Sequence, residues 1–199
     1  YTDVSGEAGV DVDATTDGSA VEYCAEGCPD SGGGSLAGDW SLDGVGSAGV
    51  GPAPGDVSWW SLDDAGVVTR ACWLDDVYRF GEDGSFNQVL GDETWLEPFQ
   101  GVPAESCGTP VAPHDGSSTG SFSYDEVAST LTINGQGSHL GLAKVVNGAE
   151  LAAPGDAPDS ITYDVVTLDG DNMTVTIEAI PGNWWTFVLE RVNDTAALA

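Results

Sequence analysis

From residue 36 onward, apolar and polar positions alternate with a period of two, the spacing of a strand with one buried face. "LAGDWSL" (36–42) alternates about Trp40, and "DDVYRF" (75–80) and "SFNQVL" (85–90) flank the tight-turn sequence "GEDG", where Gly84 can take a positive φ. The pattern returns in "GSFSYD" (120–125), "STLTINGQG" (129–137), "SITYDVVTL" (160–168), "MTVTIEAI" (173–180) and "NWWTFVLERV" (183–192). "DGDN" (169–172) joins two of these runs with strong hairpin chemistry. Helical spacing is almost absent, and residues 141–151 have room for a short turn of helix at most. Read as a strand, "TRACWLDDVYRF" (69–80) turns Cys72, Leu74, Asp76 and Tyr78 to one face and Ala71, Trp73, Asp75, Val77 and Arg79 to the other. Short strands divided by glycine-rich turns predict an all-β fold, an antiparallel barrel or sandwich. Two stretches, 44–64 and 96–121, are rich in Gly, Pro and aromatics and break the pattern; they are expected to be long loops, tied down or functional.

Residues 1–34 differ in kind. They hold eight acidic residues and no Lys or Arg, and end in Gly32-Gly33-Gly34. This predicts an acidic arm and flexible linker ahead of a β domain at 35–199, with "AVEYC" (20–24) the segment best able to pair as a strand. Over the whole chain, 33 acidic residues against 4 basic ones give a net charge of −29. Such a chain repels phosphate backbones and anionic membrane surfaces, which excludes nucleic acid as a partner. Its self-repulsion is best tolerated where salt or divalent cations screen it, as in a saline or calcium-rich exterior. No apolar run is long enough to form a transmembrane helix. The start at Tyr1, without a leader, suggests a secreted protein whose signal peptide has been removed. Four cysteines fit an oxidising compartment, whereas Cys24 and Cys28 followed by the distant Cys72 and Cys107 fit a zinc site poorly. Bridges Cys24–Cys28 and Cys72–Cys107 are expected.

Several strings together resemble a known family. Gly38-Asp39-Trp40, the hairpin running from Tyr78 to Phe86 and the closing strand from Trp185 to Arg191 are similar to bacterial lipocalin-like β-barrels. "VGPAPGDVSWW", "TRACWLDDVYRF", "LGDETWLEPFQG", "CGTPVAPHDG" and "HLGLAKVVNGAEL" resemble a module of marine, mostly Bacteroidota-type, secreted proteins, often appended to polysaccharide-degrading or glycan-binding proteins. The resemblance covers residues 36–192 and implies a lipocalin-like barrel associated with glycans.

The candidate chemistry starts from the aromatic and basic residues. Arg70 and Arg79, two of the four basic residues, lie in one aromatic-rich stretch with Trp73. Each either pins a loop through a carboxylate and an indole or, for Arg70 with Trp73, forms a ligand floor. The adjacent pairs Trp59-Trp60 and Trp184-Trp185 point one indole of each pair into the core and leave the other out. Exposed indole faces pack against sugar rings while planar polar groups take the hydroxyls. Trp59, Trp60 and Trp95, with Glu93, Gln100 and Asp115, are therefore the platform candidates, and the competing reading is that they cap the barrel ends.

Enzyme chemistry is weaker. Gly116-Ser117-Ser118-Thr119-Gly120 fits a nucleophile-elbow pattern but sits in a polar loop, and Glu93 with Glu97 is a bare carboxylate pair. Asp11, Asp13 and Asp17 form part of a calcium loop without its closing ligands, so weak calcium binding is the only cofactor suggested. The expected function is non-catalytic glycan binding outside the cell. The alternative is a filament or surface-layer subunit whose arm adds a strand to the next copy, with calcium assisting.

Overall fold

The computed structural model describes residues 35–192. The arm, the strand expected at 20–24, the Cys24–Cys28 pair and Asp11, Asp13 and Asp17 lie outside the described residues. The elements in order are β1 (Gly38–Leu42), β2 (Ala48–Gly51), β3 (Trp60–Ser61), α1 (Asp64–Thr69), α2 (Ala71–Leu74), β4 (Val77–Phe80), β5 (Ser85–Val89), β6 (Thr94–Leu96), β7 (Ser106–Gly108), β8 (Gly120–Asp125), β9 (Thr130–Asn134), β10 (Val145–Val146), β11 (Ala149–Glu150), β12 (Ser160–Leu168), β13 (Asn172–Ile180) and β14 (Asn183–Arg191). Single turns of 3-10 helix occupy Pro98–Gln100 and Pro154–Asp156.

Eight strands, β1-β4-β5-β8-β9-β12-β13-β14, pair antiparallel in that order, and β14 returns to β1 to close a barrel. The all-β expectation holds. β1 and β2 behave as one strand with an outward loop at 43–47: Leu42 pairs with Leu189, and Ala48 resumes opposite Phe187. β3 then pairs with β2 as a short flap. Alternating positions of these strands turn Trp40, Tyr78, Phe80, Phe86, Leu131, Ile133, Tyr163, Val175, Phe187 and Leu189 inward, all nearly inaccessible. A barrel of this size is filled by such side chains.

The up-and-down order decides where the chemistry can lie. Connections alternate between barrel ends, so tight turns fall at one end after β4, β8 and β12, and long connections fall at the other after β2, β5 and β9. We call the second end the mouth. The turn after β4 is built as predicted, with Gly84 at φ 82°. In the turn after β12, the Asp169 carboxylate accepts from the backbone N–H groups of Asp171 and Asn172.

One sequence expectation fails. The first half of "TRACWLDDVYRF" is helical: α1 and α2 run through Asp64–Leu74, and only Val77–Phe80 is strand. The signal lay in Asp63, whose carboxylate caps the helix by accepting from Gly66 N–H at 2.7 Å. Two helical segments this short show no periodicity to detect. Residues 141–151 form no helix but a two-residue hairpin, β10–β11, around Asn147-Gly148, with Gly148 at φ 80°.

The third long connection also closes the barrel. Tyr163 Oη accepts from Leu140 N–H at 2.9 Å, and Tyr78 Oη accepts from Gly141 N–H at 3.1 Å. The Trp73 indole N–H donates to the Gly141 carbonyl at 3.2 Å. Gly141 sits at φ 70°, and a Cβ there would overlap the Phe187 ring, so only glycine lets the backbone enter this far. Burial pushes both tyrosine hydroxyls well above their ordinary range, leaving them neutral hydrogen-bonding struts.

Candidate functional site

With the interior filled, one of the cavities among the described residues lies at the mouth, where the three long connections meet. It measures about 190 Å³ and is lined by Val50, Trp60, Arg70, Trp95, Glu97, Glu105, Leu142, Lys144 and Trp185. Trp60 comes from β3, Trp95 from β6, Trp185 from β14 and Lys144 from the third connection. A bridge between Cys72 on α2 and Cys107 on β7 ties the first connection to the second, as expected from the sequence. β6 and β7 pair as a small separate sheet, with Trp95 opposite Cys107.

The indoles are held by the cations and by one another. The Arg70 guanidinium lies 4.5 Å from the centre of the Trp95 ring system and 5.4 Å from that of Trp60. Lys144 Nζ is 5.3 Å from the Trp185 ring. Trp60 and Trp185 stand 6.0 Å apart at 57°. The Trp185 indole N–H donates to Glu150 Oε1 at 3.0 Å.

The two cations pair differently. Lys144 meets Glu97 at 2.9 Å, and Glu97 is only 5% exposed. Burial raises the Glu97 carboxyl pKa despite the opposing pull of Lys144. Burial works against the Lys144 charge too, but its contacts with Glu97 outweigh this and hold its pKa above the ordinary value. Lys144 also lies 3.8 Å from Glu150, whereas the buried Glu97 would lose its ion-pair partner if Lys144 were removed. Arg70, by contrast, makes one contact of 2.9 Å, from Nη2 to Oε2 of Glu105, whose side chain is 44% exposed.

The other two basic side chains serve the barrel wall. Arg79 forms a two-bond fork with Asp39, its cross-strand neighbour, at 2.8 and 2.7 Å. Arg191 lies over Trp40 at 4.3 Å and donates to the carbonyls of Ser35, Ala37 and Gly170.

The structure divides the sequence-predicted residues. Trp60, Arg70 and Trp95 come together at the cavity. Trp73 does not join Arg70: α2 turns it into the core, 2% exposed, so the ring beneath the guanidinium is Trp95. Trp59 points outward, 58% exposed, and does not line the cavity. Glu93 opens onto a different hollow beside Asp92 and the disulfide. Gln100 is buried and its amide oxygen accepts from Glu97 N–H at 3.0 Å, closing a helix-capping box. Asp115 accepts from the backbone and hydroxyl of Ser117, so the Ser117 hydroxyl is tied into a turn. Glu97 and Glu93 face different surroundings and do not pair. Sequence reasoning missed Glu105, Lys144 and Trp185 as site residues. Their signal was rarity and position: Lys144 is the chain's single lysine, in a segment with room for a short turn of helix at most.

A second, smaller feature lies beneath. Asp76, Thr94, Gln100, His114 and His139 surround a hole of about 10 Å³, the size of one water molecule. Thr94 Oγ1 donates to Asp76 Oδ2 at 2.6 Å, while Asp76 Oδ1 and His114 Nδ1 have no protein partner. Burial pushes the Asp76 pKa up to about 8 and those of His114 and His139 down to about 4 and about 3. All three are therefore neutral near pH 7. Among the described residues no three His, Cys, Asp or Glu side chains are grouped to hold a metal, and no helix is long and apolar enough to cross a membrane.

The chain matches no protein-family model and no curated protein.

Proposed function

We propose that the protein is a non-catalytic, extracellular binding protein that takes one sugar ring, at the end or on a branch of a glycan, in the mouth cavity. The observation that carries this reading is a cavity in which three indoles converge with two cations and their carboxylates. Apolar ring faces and charged hydrogen-bonding groups together are what a pyranose, with its apolar face and hydroxyl edge, requires. The volume of about 190 Å³ is below that of pockets enclosing a drug-sized ligand and suits a single ring. The Cys72–Cys107 bridge suits an oxidising exterior.

Calorimetry against a panel of neutral and acidic oligosaccharides tests the reading. Trp60→Ala is expected to weaken binding by roughly tenfold or more, and Trp59→Ala to leave it unchanged. Absence of binding across the panel, or equal binding by the Trp60→Ala variant, would overturn it.

A further inference from the structure

Resting on that reading, we infer that the sugar recognised in the mouth cavity carries an oxyanion, a carboxylate or a sulfate, which takes the Arg70 guanidinium by displacing Glu105.

A chain with 33 acidic and 4 basic residues places two of its cations in this one cavity. Neutralising buried acids accounts for only one of them. Lys144 is bound to the nearly inaccessible Glu97, an arrangement that cannot exchange. Arg70 has no such obligation, because Glu105 is half-open to solvent and would be hydrated without it. An exposed ion pair of this kind contributes little to stability.

The guanidinium is nevertheless held rigidly. The Arg70 side chain is 19% exposed, and its guanidinium lies over both Trp95 and Trp60. Guanidinium offers five N–H donors in a flat fork that matches an oxyanion through two parallel bonds. Glu105 engages that fork through a single nitrogen. A ligand oxyanion entering the cavity can make the two-bond contact that Glu105 does not, and Glu105 then turns to solvent at little cost. The site is thus an arginine oriented in advance and covered by an exchangeable internal carboxylate. Its specificity follows from Arg70, since a neutral sugar cannot displace the competitor.

The test is calorimetry on the full chain with three probes: a diuronate, its carboxyl-reduced neutral counterpart, and a sulfated neutral disaccharide. An anionic probe is expected to bind roughly tenfold tighter than the neutral one. Glu105→Gln removes the competing charge and should tighten the anionic probe severalfold relative to the neutral one. Arg70→Gln should abolish the preference. Preference for the diuronate alone assigns the carboxylate, and for the sulfated probe alone the sulfate; both support the proposal. Equal binding of all three probes, or an unchanged preference in Glu105→Gln, overturns it and leaves the sugar reading standing. Failure of every probe to bind overturns both. Glu105 lies on the exposed rim, so its variant decides the question even if Arg70→Gln fails to fold.

Discussion

Individual residues show how strongly burial can set chemistry in so acidic a chain. Asp76 is 2% exposed, with Oδ2 accepting from Thr94 and Oδ1 facing a water-sized hole. Its carboxyl keeps a proton up to about pH 8 because burial penalises the anion. The folded-state pKa is raised above the unfolded value, so the residue's contribution to stability is full below about pH 4 and is lost as pH rises through about 8. Asp76→Asn keeps the shape of the neutral acid and removes the titration. Denaturant unfolding from pH 4 to 8 should show the variant gaining stability over the parent as pH rises, by a few kcal/mol on the order of magnitude. A constant difference across that range would contradict this. His114 and His139 act in the opposite sense. Their depressed values mean that stability present above about pH 6.5 is lost as pH falls toward about 4.

At the scale of elements, the mouth is held by a few cross-links between connections that would otherwise be free to move. The Cys72–Cys107 bridge spans 35 residues and joins α2 to β7, bringing Arg70 and Glu105 within reach of one another. Replacing both cysteines by alanine should lower the unfolding free energy by about 2–4 kcal/mol, read from denaturant melts, and weaken ligand binding while the barrel's far-ultraviolet dichroism persists. Unchanged affinity would show that β6–β7 positions Trp95 unaided. The barrel strands were legible because alternation is imposed on every residue of a half-buried strand, as in β12, β13 and β14. The mouth was less legible because its elements are two to six residues long, too short for periodicity. Asp63 as a helix cap and Asn147-Gly148 as a hairpin turn were local signals that the apolar pattern around them obscured. Trp60, Arg70 and Trp95 could be named from residue type alone. That Trp185 and Lys144 complete their cavity depends on β14 and the third connection converging there, a contact distant in sequence.

For the whole molecule, topology and charge act together. Alternating connections gather the three long loops at one end, and aromatic and aliphatic side chains fill the interior. A net charge of −29 opposes an approaching anion at long range, but that field is screened beyond about 8 Å at physiological salt. On the proposed reading, recognition would rest on contacts inside the mouth, where both cations are held against indoles. The most direct test of this account is the set of tryptophan indole N–H resonances, followed by two-dimensional NMR during titration with an acidic disaccharide. The signals of Trp60, Trp95 and Trp185 should move together and saturate, while those of Trp40 and Trp73, locked in the core, stay fixed. Shifts confined to the outward-facing Trp59, or no shifts at all, would contradict it.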